Sequence, residues 1–439
     1  MMFKKIFSLI VIAVLLASII TGCGQKGNNA QTDENSQKNA GEQVVLKFLH
    51  KWPQPQNMEY FEQIVKEFEE KHPNIKIEME AVADEPIKDK LRIVMGSDDQ
   101  PDVFFSWSGE FARKFVRVGS VLDITDAFNS DSEWNNSIMK AGIEPFTFDG
   151  KVYGMPFRIN GKFFVYNTDL FERYNLKKPQ TWQDFMDICE TLKKAGITPI
   201  ALGNQFPWAA CHYLTTFNQK LVPQDVRMKD YNPKTGEFTH PGYVKALEYL
   251  KLLKDKGYFN DGVNSTSHDM AHQLFYAGKA GMIYVELEEF AQVEENMSGR
   301  WDFFAMPAIP EGEGNQKFLT GAPDGFMISA KTKHPQEAIE FLKFLVSKES
   351  AEKLVKTLGW PSPVIGAVNE TNAPKFLVEG MKALESAEGM ALWLDTDVHI
   401  KVAETYLAGL QELLNGSKSP EDIMKEVRQT AKTVQSEVD

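Results

Sequence analysis

The order of predicted elements at the start of the globular part limits the folds open to this chain more than any other feature. The apolar run 44–49 predicts a buried strand, and 75–79 alternates apolar with charged residues, as a strand with one wet face does. Segments with helical periodicity, 57–71 and 87–94, separate these two strands from a third at 103–105. Strand, helix, strand, helix and strand in that order predict a parallel α/β sheet.

The rest of the chain mixes helical stretches with single strands. Residues 160–300 are predicted to be mostly helical. Within them, 181–195 is the clearest helix, because Thr181 and Asp184 fit an N-terminal capping arrangement and Gly196 fits a C-cap. The further predicted elements are helices at 241–256, 270–276, 335–346 and from 376 onwards, and strands at 281–285 and 326–329. No repeat of fixed period is visible in the sequence.

Length and charge narrow the architecture and the partners. A chain of 439 residues is too long for one ordinary hydrophobic core, so two lobes are expected. Its 30 Phe and 8 Trp residues are enough for two large cores. The 61 acidic residues outnumber the 48 Lys and Arg residues, which gives a formal net charge of −13. An acidic surface argues against a nucleic-acid partner, because phosphate binding needs clustered Lys and Arg.

The N-terminal region has the composition of an export signal. Two lysines precede the apolar run 6–20, which is short for a stable transmembrane helix but suits a secretory signal. The tetrapeptide Ile-Thr-Gly-Cys at 20–23 resembles the lipobox of bacterial lipoproteins. That resemblance implies a signal peptide over 1–22 and an acylated Cys23. We therefore expect an extracytoplasmic protein that is anchored to the cell membrane by lipid.

The segment that follows the predicted lipidation site has no means of forming a core. Residues 24–43 contain no aromatic or branched aliphatic side chain. Such a segment cannot bury enough apolar surface to offset the entropy of ordering. We predict a disordered tether over 23–43, with the globular part beginning at Val44.

The remaining cysteines are predicted to be structural thiols. Once Cys23 is assigned to lipid, only Cys189 and Cys211 remain, and both lie in segments with helical patterns. We interpret them as buried thiols that do not form a disulfide. No cysteine-based zinc site can be built from two such residues, and no cofactor is expected.

Seven stretches of the sequence together carry a family resemblance. They are 59–78, 100–111, 149–171, 177–204, 275–286, 306–312 and 334–354. In this order they resemble the extracellular solute-binding proteins of bacterial ATP-driven sugar importers, the family related to maltose-binding protein. They span essentially the whole chain after the tether.

The resemblance implies a two-lobed α/β fold of the type II periplasmic-binding-protein class, with the ligand in the cleft between the lobes. It implies a first lobe formed by 44–147 and 303–358, and a second lobe formed by 148–302 and 359–439. It further implies a monomer that captures an oligosaccharide, closes by a hinge motion and delivers the sugar to the transmembrane subunits of a permease, without catalysis.

Candidate ligand-binding residues follow from the chemistry of a sugar. Aromatic rings suit the apolar faces of a pyranose, and acids, amides and arginine suit its rim of hydroxyl groups. Such residues at predicted strand ends and loops are Trp52, Trp107, Glu110, Arg158, Asn160, Asn204, Trp208, Glu286, Asp324, Trp360, Trp393 and Asp395. Trp134, Trp182 and Trp301 are assigned to structural packing.

Three alternatives remain open at this point. The first is an exported glycoside hydrolase, which needs two carboxylates across the cleft. The second keeps the fold but changes the ligand to a polyamine, a peptide or a phosphate ester. A polyamine would need several acids in the cleft, and a phosphate ester would need arginines and helix N-termini, for which Arg158 alone is thin support. The third is a zinc site at His268 and His272, which share a helical face, although no third ligand is evident and surface histidines at a helix start are the preferred interpretation.

Overall fold

The computed structural model describes residues 43–438. The predicted signal peptide, the lipidation site Cys23 and the tether up to residue 42 lie outside the described residues. The described helices do not include one that is long and apolar enough to cross a membrane.

The strands are β1 (Val44–His50), β2 (Ile75–Ala81), β3 (Val103–Trp107), β4 (Thr147–Phe148), β5 (Lys151–Val152), β6 (Gly154–Ile159), β7 (Lys162–Asn167), β8 (Thr198–Ala201), β9 (Ala280–Glu286), β10 (Trp301–Phe304), β11 (Leu319–Thr320), β12 (Pro323–Ile328) and β13 (Met390–Ala391).

The α-helices are α1 (Pro55–Lys71), α2 (Asp84–Val94), α3 (Glu110–Arg117), α4 (Thr125–Ser130), α5 (Ser132–Ser137), α6 (Lys140–Ile143), α7 (Thr168–Arg173), α8 (Trp182–Lys194), α9 (Trp208–Leu221), α10 (Gln224–Tyr231), α11 (Gly242–Asp255), α12 (His268–Tyr276), α13 (Phe290–Met297), α14 (Pro335–Leu345), α15 (Lys348–Leu358), α16 (Lys375–Ser386), α17 (Leu394–Asp397), α18 (Ile400–Asn415) and α19 (Pro420–Val438). Short 3₁₀ turns lie at Glu144–Phe146, Val263–Ser265 and Leu287–Glu289.

The first sheet has the order β2-β1-β3-β12-β6. Strands β1, β2 and β3 run parallel, which confirms the prediction from the opening alternation of elements. Strand β12 is antiparallel to both β3 and β6. The side chains that pack on this sheet form one hydrophobic core, in which Phe48, Phe61, Phe157 and Phe326 have ring centroids 5.1 to 6.4 Å apart.

The second sheet has the order β10-β7-β9-β8 and carries a core on each face. Along β7, Phe164 and Tyr166 face one core, whereas Phe163 and Val165 face the other. The prediction of a mostly helical middle region missed β7 and β8. Every residue of β7 is buried, so its sequence lacks the alternation by which a strand with one wet face is recognised. Two mixed sheets flanked by helices, the first mostly parallel and the second mostly antiparallel, confirm the expected α/β class with two lobes.

Strand pairing places the passages between the sheets later in the chain than the family resemblance implies. Strand β6 was expected in the second lobe, yet it pairs with β12 of the first sheet, so the first passage lies between Ile159 and Lys162. Residue 303 was expected to begin the second segment of the first lobe. It belongs to β10, which pairs along its whole length with β7 of the second sheet, so the second passage follows Phe304. Trp360 and Val364 pack in the core of the first sheet, so the third passage also follows residue 359. The physical reason is that strand hydrogen bonding, which local sequence does not report, decides sheet membership.

Several local predictions are confirmed. Thr181 caps α8 in a reciprocal capping box with Asp184, as its spacing predicts. Cys189 and Cys211 are free, buried thiols on α8 and α9. The tryptophans assigned to structural packing are buried within hydrophobic cores: Trp134 beside the first sheet, and Trp182 and Trp301 beside the second.

Candidate functional site

One edge of the first sheet gathers several of the sequence-predicted residues. Trp107 ends β3, and the register of the sheet places it opposite Asp324 on β12, which in turn lies opposite Arg158 on β6. Trp52 follows the end of β1, two strands away from β12. The carboxyl ends of β1, β3 and β6 therefore meet at the edge where ligands bind to open α/β sheets.

Arg158 is the centre of charge at this edge. Its Nε and Nη2 donate to both carboxylate oxygens of Asp324 at 2.9 to 3.1 Å, a bidentate arrangement, and its Nη1 forms an ion pair with Glu288. The guanidinium is 3% exposed. Lys51 adds a second cation, with its Nζ 2.7 Å from Asp84 Oδ1 and 3.8 Å from Asp324 Oδ2.

Two of the predicted tryptophans pack against Arg158. The guanidinium carbon lies 5.0 Å from the ring centroid of Trp52 and 4.8 Å from that of Trp360. Trp52 also stacks on Phe61 at 5.5 Å. Trp52 is 5% exposed and in contact with these protein groups, so its position supports Arg158 more directly than it presents a free stacking surface.

Trp107 lies under two lysines. The Nζ atoms of Lys51 and Lys88 are 4.8 and 5.3 Å from its ring centroid. Glu110, in the first turn of α3, forms an ion pair with Arg117. Burial raises the pKa of Glu110 although the Arg117 guanidinium opposes the shift. A polar ligand with an apolar face can compete with these lysines for contact with the Trp107 ring.

A second group of side chains comes from the second sheet and its helices. Lys162 begins β7, and the register places it opposite Glu286 at the end of β9. The Nζ of Lys162 and the Nδ1 of His212 are each 3.7 Å from Glu286 Oε1. Within residues 43–438, neither of these nitrogen atoms has a hydrogen-bond partner, although both side chains are buried.

The pKa values of these groups follow from their burial. Burial lowers the pKa of His212 well below 6.5, and the neighbouring Lys162 cation acts in the same direction, so the imidazole is neutral. Burial raises the pKa of Glu286; Lys162 opposes the shift and Glu289 reinforces it. A neutral imidazole and a carboxylate beside an ammonium group can donate and accept hydrogen bonds to hydroxyl groups.

Aromatic rings line the same region. Trp393 stacks on His212 with ring centroids 4.2 Å apart. Trp208, at the first position of α9, is partly exposed and lies 5.3 Å from the His212 ring. The Nζ of Lys162 is 5.4 Å from the Trp208 centroid. The arrangement places two indoles in contact with one imidazole.

These residues form two facing walls. We define the first wall as Lys51, Trp52, Asp84, Lys88, Trp107, Arg158, Asp324 and Trp360, and the second wall as Lys162, Trp208, His212, Glu286, Trp393 and Asp395. The Arg158–Glu288 ion pair joins a strand of the first sheet to the turn after β9. At the other end of the cleft between the walls, there is a groove with about 300 Å³ of empty volume. It is lined by Glu110 and Lys114 of α3 and by Asp395 and His399 near α17.

Acids of α17 face the first wall across this groove. Burial raises the pKa of Asp395 to about 6, although Lys88 lowers it from across the cleft. Burial raises the pKa of Asp397 to about 7; Arg227 opposes the shift and Glu110 reinforces it. Carboxylic acids with such pKa values change charge near neutral pH and can donate or accept hydrogen bonds.

The two predicted asparagines are held by protein contacts. Asn160 lies at the first passage between the sheets, where its amide nitrogen donates to Glu288 Oε2 at 2.9 Å and its carbonyl oxygen accepts from the Glu288 backbone N–H at 3.1 Å. Asn204 donates to Asn264 Oδ1 at 2.7 Å and accepts from the Ala210 N–H at 3.2 Å. These bonds fix the loop that precedes α9, which gives Asn204 a structural role that the sequence did not reveal.

Sequence reasoning missed several residues that the structure brings to the walls. They are Lys51, Asp84, Lys88, Lys162, His212, Glu288 and Glu289. Lys162 begins β7 and is followed by a run of buried residues. A single cation before such a run could have marked Lys162 as a candidate functional residue. The others lie within helices or turns whose local patterns are ordinary.

Comparison with known proteins gives the family. The sequence model described as "Bacterial extracellular solute-binding protein" matches residues 52–352. An ABC transporter extracellular-binding protein of Pyrococcus horikoshii is 30% identical over 356 residues, which covers 77% of each chain. The multiple sugar-binding protein of Streptococcus mutans is 25% identical over 385 residues and 85% of each chain.

A solved structure shows the same fold. A chitin oligosaccharide binding protein superimposes with a TM-score of 0.81 at 22% identity, covering 90% of this chain and 100% of the other. The family acts in transport and outside the cytoplasm. The extent of the family match, together with the two-lobed fold, shows that this chain belongs to the bacterial extracellular solute-binding proteins.

Proposed function

We propose that the protein captures an oligosaccharide in the cleft between its two walls and delivers it to the transmembrane subunits of an ABC permease. The observation that carries this proposal is the pairing of indole rings with buried hydrogen-bonding groups on both walls. Trp107 belongs to the first wall, and Trp208 and Trp393 belong to the second. Beside the latter two lie the Lys162 and His212 nitrogen atoms that have no hydrogen-bond partner among residues 43–438. Two of the relatives are named for binding sugars, which supports the same class of ligand.

The charges of the walls favour a neutral ligand over the charged alternatives. A phosphate ester needs an available arginine, whereas Arg158 is already engaged by Asp324 and Glu288. A polyamine needs several unpaired acids, whereas Asp84 and Asp324 contact Lys51. Glu286 Oε1 likewise lies 3.7 Å from Lys162 Nζ. Among residues 43–438, Asp395 Oδ1 is the one carboxylate oxygen of the walls that is buried without a hydrogen-bond partner. A sugar needs neither, because its hydroxyl groups both donate and accept hydrogen bonds.

The first experiment is a thermal-shift screen of the purified protein against mono- and oligosaccharides, polyamines and phosphate esters, followed by calorimetry on each hit. At a thousand-fold excess over its Kd, a ligand stabilises the folded protein by about 4 kcal/mol. An oligosaccharide that shifts the melting temperature and is recovered unchanged supports the proposal. Cleavage of the sugar supports the hydrolase instead, and a shift only with a polyamine or phosphate ester keeps the fold but overturns the ligand.

Substitution of the tryptophans tests the walls. Trp107→Ala and Trp393→Ala are each expected to weaken oligosaccharide binding by about 30-fold, the effect of losing about 2 kcal/mol at a buried aromatic contact. Trp134→Ala is the matched control, because Trp134 is buried in the core of the first lobe and should affect stability alone. Unchanged affinity in both wall variants contradicts the stacking role.

We further propose that Cys23 carries the lipid anchor, that the protein is a monomer, and that it performs no catalysis. The support for the anchor is the sequence around 20–23. Replacement of Cys23 by Ser should release the protein from the membrane fraction of the expressing cell and abolish incorporation of labelled fatty acid. Retention on the membrane with an unlabelled Cys23 would contradict the anchor.

A further inference from the structure

Helix α12 carries a pair of histidines that the structure does not leave on the surface. His268 and His272 are one helical turn apart, at i and i+4. The side chain of His272 is 1% exposed and that of His268 is 20% exposed. The prediction of surface histidines at a helix start was therefore wrong, because α12 packs with this face against the turn that follows β9.

The same turn supplies the third group that the sequence does not reveal. Glu289 Oε1 lies 2.5 Å from His268 Nε2 and 2.9 Å from His272 Nε2, and the two imidazole nitrogen atoms are 3.2 Å apart. Three potential metal-ligating atoms thus converge on one point. Glu289 is separated from the histidines by 21 and 17 residues, so only the folded chain brings the set together.

Outer contacts orient two of the three groups. The Tyr276 hydroxyl is 2.8 Å from His272 Nδ1, which leaves Nε2 directed at the convergence point. The Glu286 backbone N–H donates to Glu289 Oε2 at 2.6 Å, which leaves Oε1 directed at the histidines. Metal-binding histidines and carboxylates in proteins are held in this manner by hydrogen bonds on the atom that does not bind the metal.

We propose that His268 Nε2, His272 Nε2 and Glu289 Oε1 bind a divalent transition metal ion of the zinc class. Tetrahedral zinc with bonds of about 2.0–2.1 Å sets its ligand atoms about 3.3 Å apart, and the separation of the two imidazole nitrogens already matches this value. The contacts of Glu289 would lengthen by about 0.4–0.8 Å to reach the same geometry. Two imidazoles and one carboxylate are a ligand set that zinc accepts, with a fourth position for water.

The site lies behind the second wall. The Trp208 ring centroid is 4.8 Å from that of His268, and Glu289 belongs to the turn that also carries Glu286 and Glu288. A bound ion joins α12 to this turn, and so fixes the elements that position Trp208 and Glu286. The inference concerns the metal alone and does not depend on the identity of the solute.

The test is a titration of the chelator-treated protein with Zn²⁺ and, separately, with Co²⁺, in the absence of any sugar. We expect one equivalent of either metal and the visible absorption bands of tetrahedral Co²⁺. His268→Gln should weaken binding by at least 100-fold, and Tyr276→Phe, which removes only the outer contact, by about 10-fold. His334→Gln is the matched control, because its side chain lies at the start of α14, outside the cluster.

Circular dichroism establishes that each variant is folded before titration, and the partly exposed His268 makes its substitution the least disruptive of the three ligands. The proposal fails if the wild-type protein takes up no more Zn²⁺ than His268→Gln, since the three groups then form a hydrogen-bonded cluster only. Equal loss of binding in His334→Gln also overturns it, because the metal then binds elsewhere.

Discussion

The two walls of the cleft differ in how their buried charges are paired. On the first wall, Arg158 meets Asp324 and Glu288, and Lys51 meets Asp84 and Asp324. On the second wall, Lys162 Nζ and His212 Nδ1 have no hydrogen-bond partner among the described residues, and the pKa of Glu286 is raised.

This difference in pairing suggests separate roles for the two walls. A buried guanidinium that is held bidentately by Asp324 and paired with Glu288 is expected to keep a fixed geometry, and removing one partner is costly. Buried polar atoms that lack partners within the protein gain the most from a ligand's hydroxyl groups. We therefore expect substitutions of the charged residues on the first wall to act mainly on stability and those on the second wall to act mainly on affinity.

The largest expected effect is the loss of stability when Arg158 is replaced. Arg158→Met leaves Asp324 and Glu288 without their principal cation in a buried site, so the free energy of unfolding should fall by about 3–5 kcal/mol. Urea denaturation measures this change. In the control Arg92→Met, the ion pair with Asp89 is mostly exposed and the loss should stay below about 1 kcal/mol. If the free energy of unfolding falls by a similar amount in the two variants, the ion pairs of Arg158 do not stabilise the first wall more than an exposed pair does.

The next largest effect concerns Lys162. Lys162→Met removes a buried ammonium group that has no hydrogen-bond partner in the part of the chain that is described. Calorimetry should show oligosaccharide binding about 10- to 100-fold weaker, the value of about 1.5–3 kcal/mol for a hydrogen bond to a charged group. The loss of stability should be smaller than that of Arg158→Met.

Lys220→Met is the matched control for this variant. Lys220 is a buried lysine of the same lobe, and its Nζ donates to the Gln316 carbonyl at 2.8 Å. Its replacement should lower stability and leave affinity unchanged. If Lys220→Met weakens binding as much as Lys162→Met, the affinity loss does not report a ligand contact at the second wall.

The third effect is a dependence of stability on pH. The pKa of Asp397 is raised from 3.8 to about 7 in the folded protein, so the folded state binds more protons than the unfolded state between these values. The contribution of Asp397 to stability should therefore fall as pH rises from about 4 to 7. Asp397→Asn should flatten this dependence and raise the free energy of unfolding at pH 8 by at least about 1.4 kcal/mol, the equivalent of one pKa unit. Denaturation at pH 5 and pH 8 measures the change, and an unaltered slope contradicts it.

The smallest expected effect concerns the contact between the walls. A Cβ added at Gly109, in the turn between β3 and α3, would lie 2.7 Å from Asp397 Oδ1 and 3.2 Å from Leu392 Cδ1. Gly109→Ala should therefore oppose closure of the lobes and weaken binding by about fivefold, or about 1 kcal/mol.

Gly119→Ala separates backbone strain from the contact in that experiment. Gly119 has a φ of +66°, close to the +70° of Gly109, but a Cβ there meets no atom of the described chain within 4 Å. Both variants should lose stability, because both give an L-residue a positive φ. Only Gly109→Ala should bind more weakly; equal affinities would show that the walls do not meet at this point during binding.

Local sequence rules succeeded where a pattern and its structural cause lie within one element. The parallel arrangement of β1, β2 and β3 followed from alternating strand and helix signals, and the capping box of α8 followed from the spacing of Thr181 and Asp184. They failed for β7, whose buried residues show no alternation, and for β6, whose hydrogen bonds join it to β12 about 165 positions further along the chain.

The sequence by itself determined the α/β class, the free cysteines, the structural tryptophans and the residue types suited to a sugar, because composition and periodicity reflect burial and local hydrogen bonding directly. Which side chains meet depends on the folded arrangement of distant segments. The pairing of Arg158 with Asp324, of Lys162 with Glu286 and of Glu289 with the histidines of α12 all join distant segments. Sheet register and helix packing set those distances, and no local pattern encodes them.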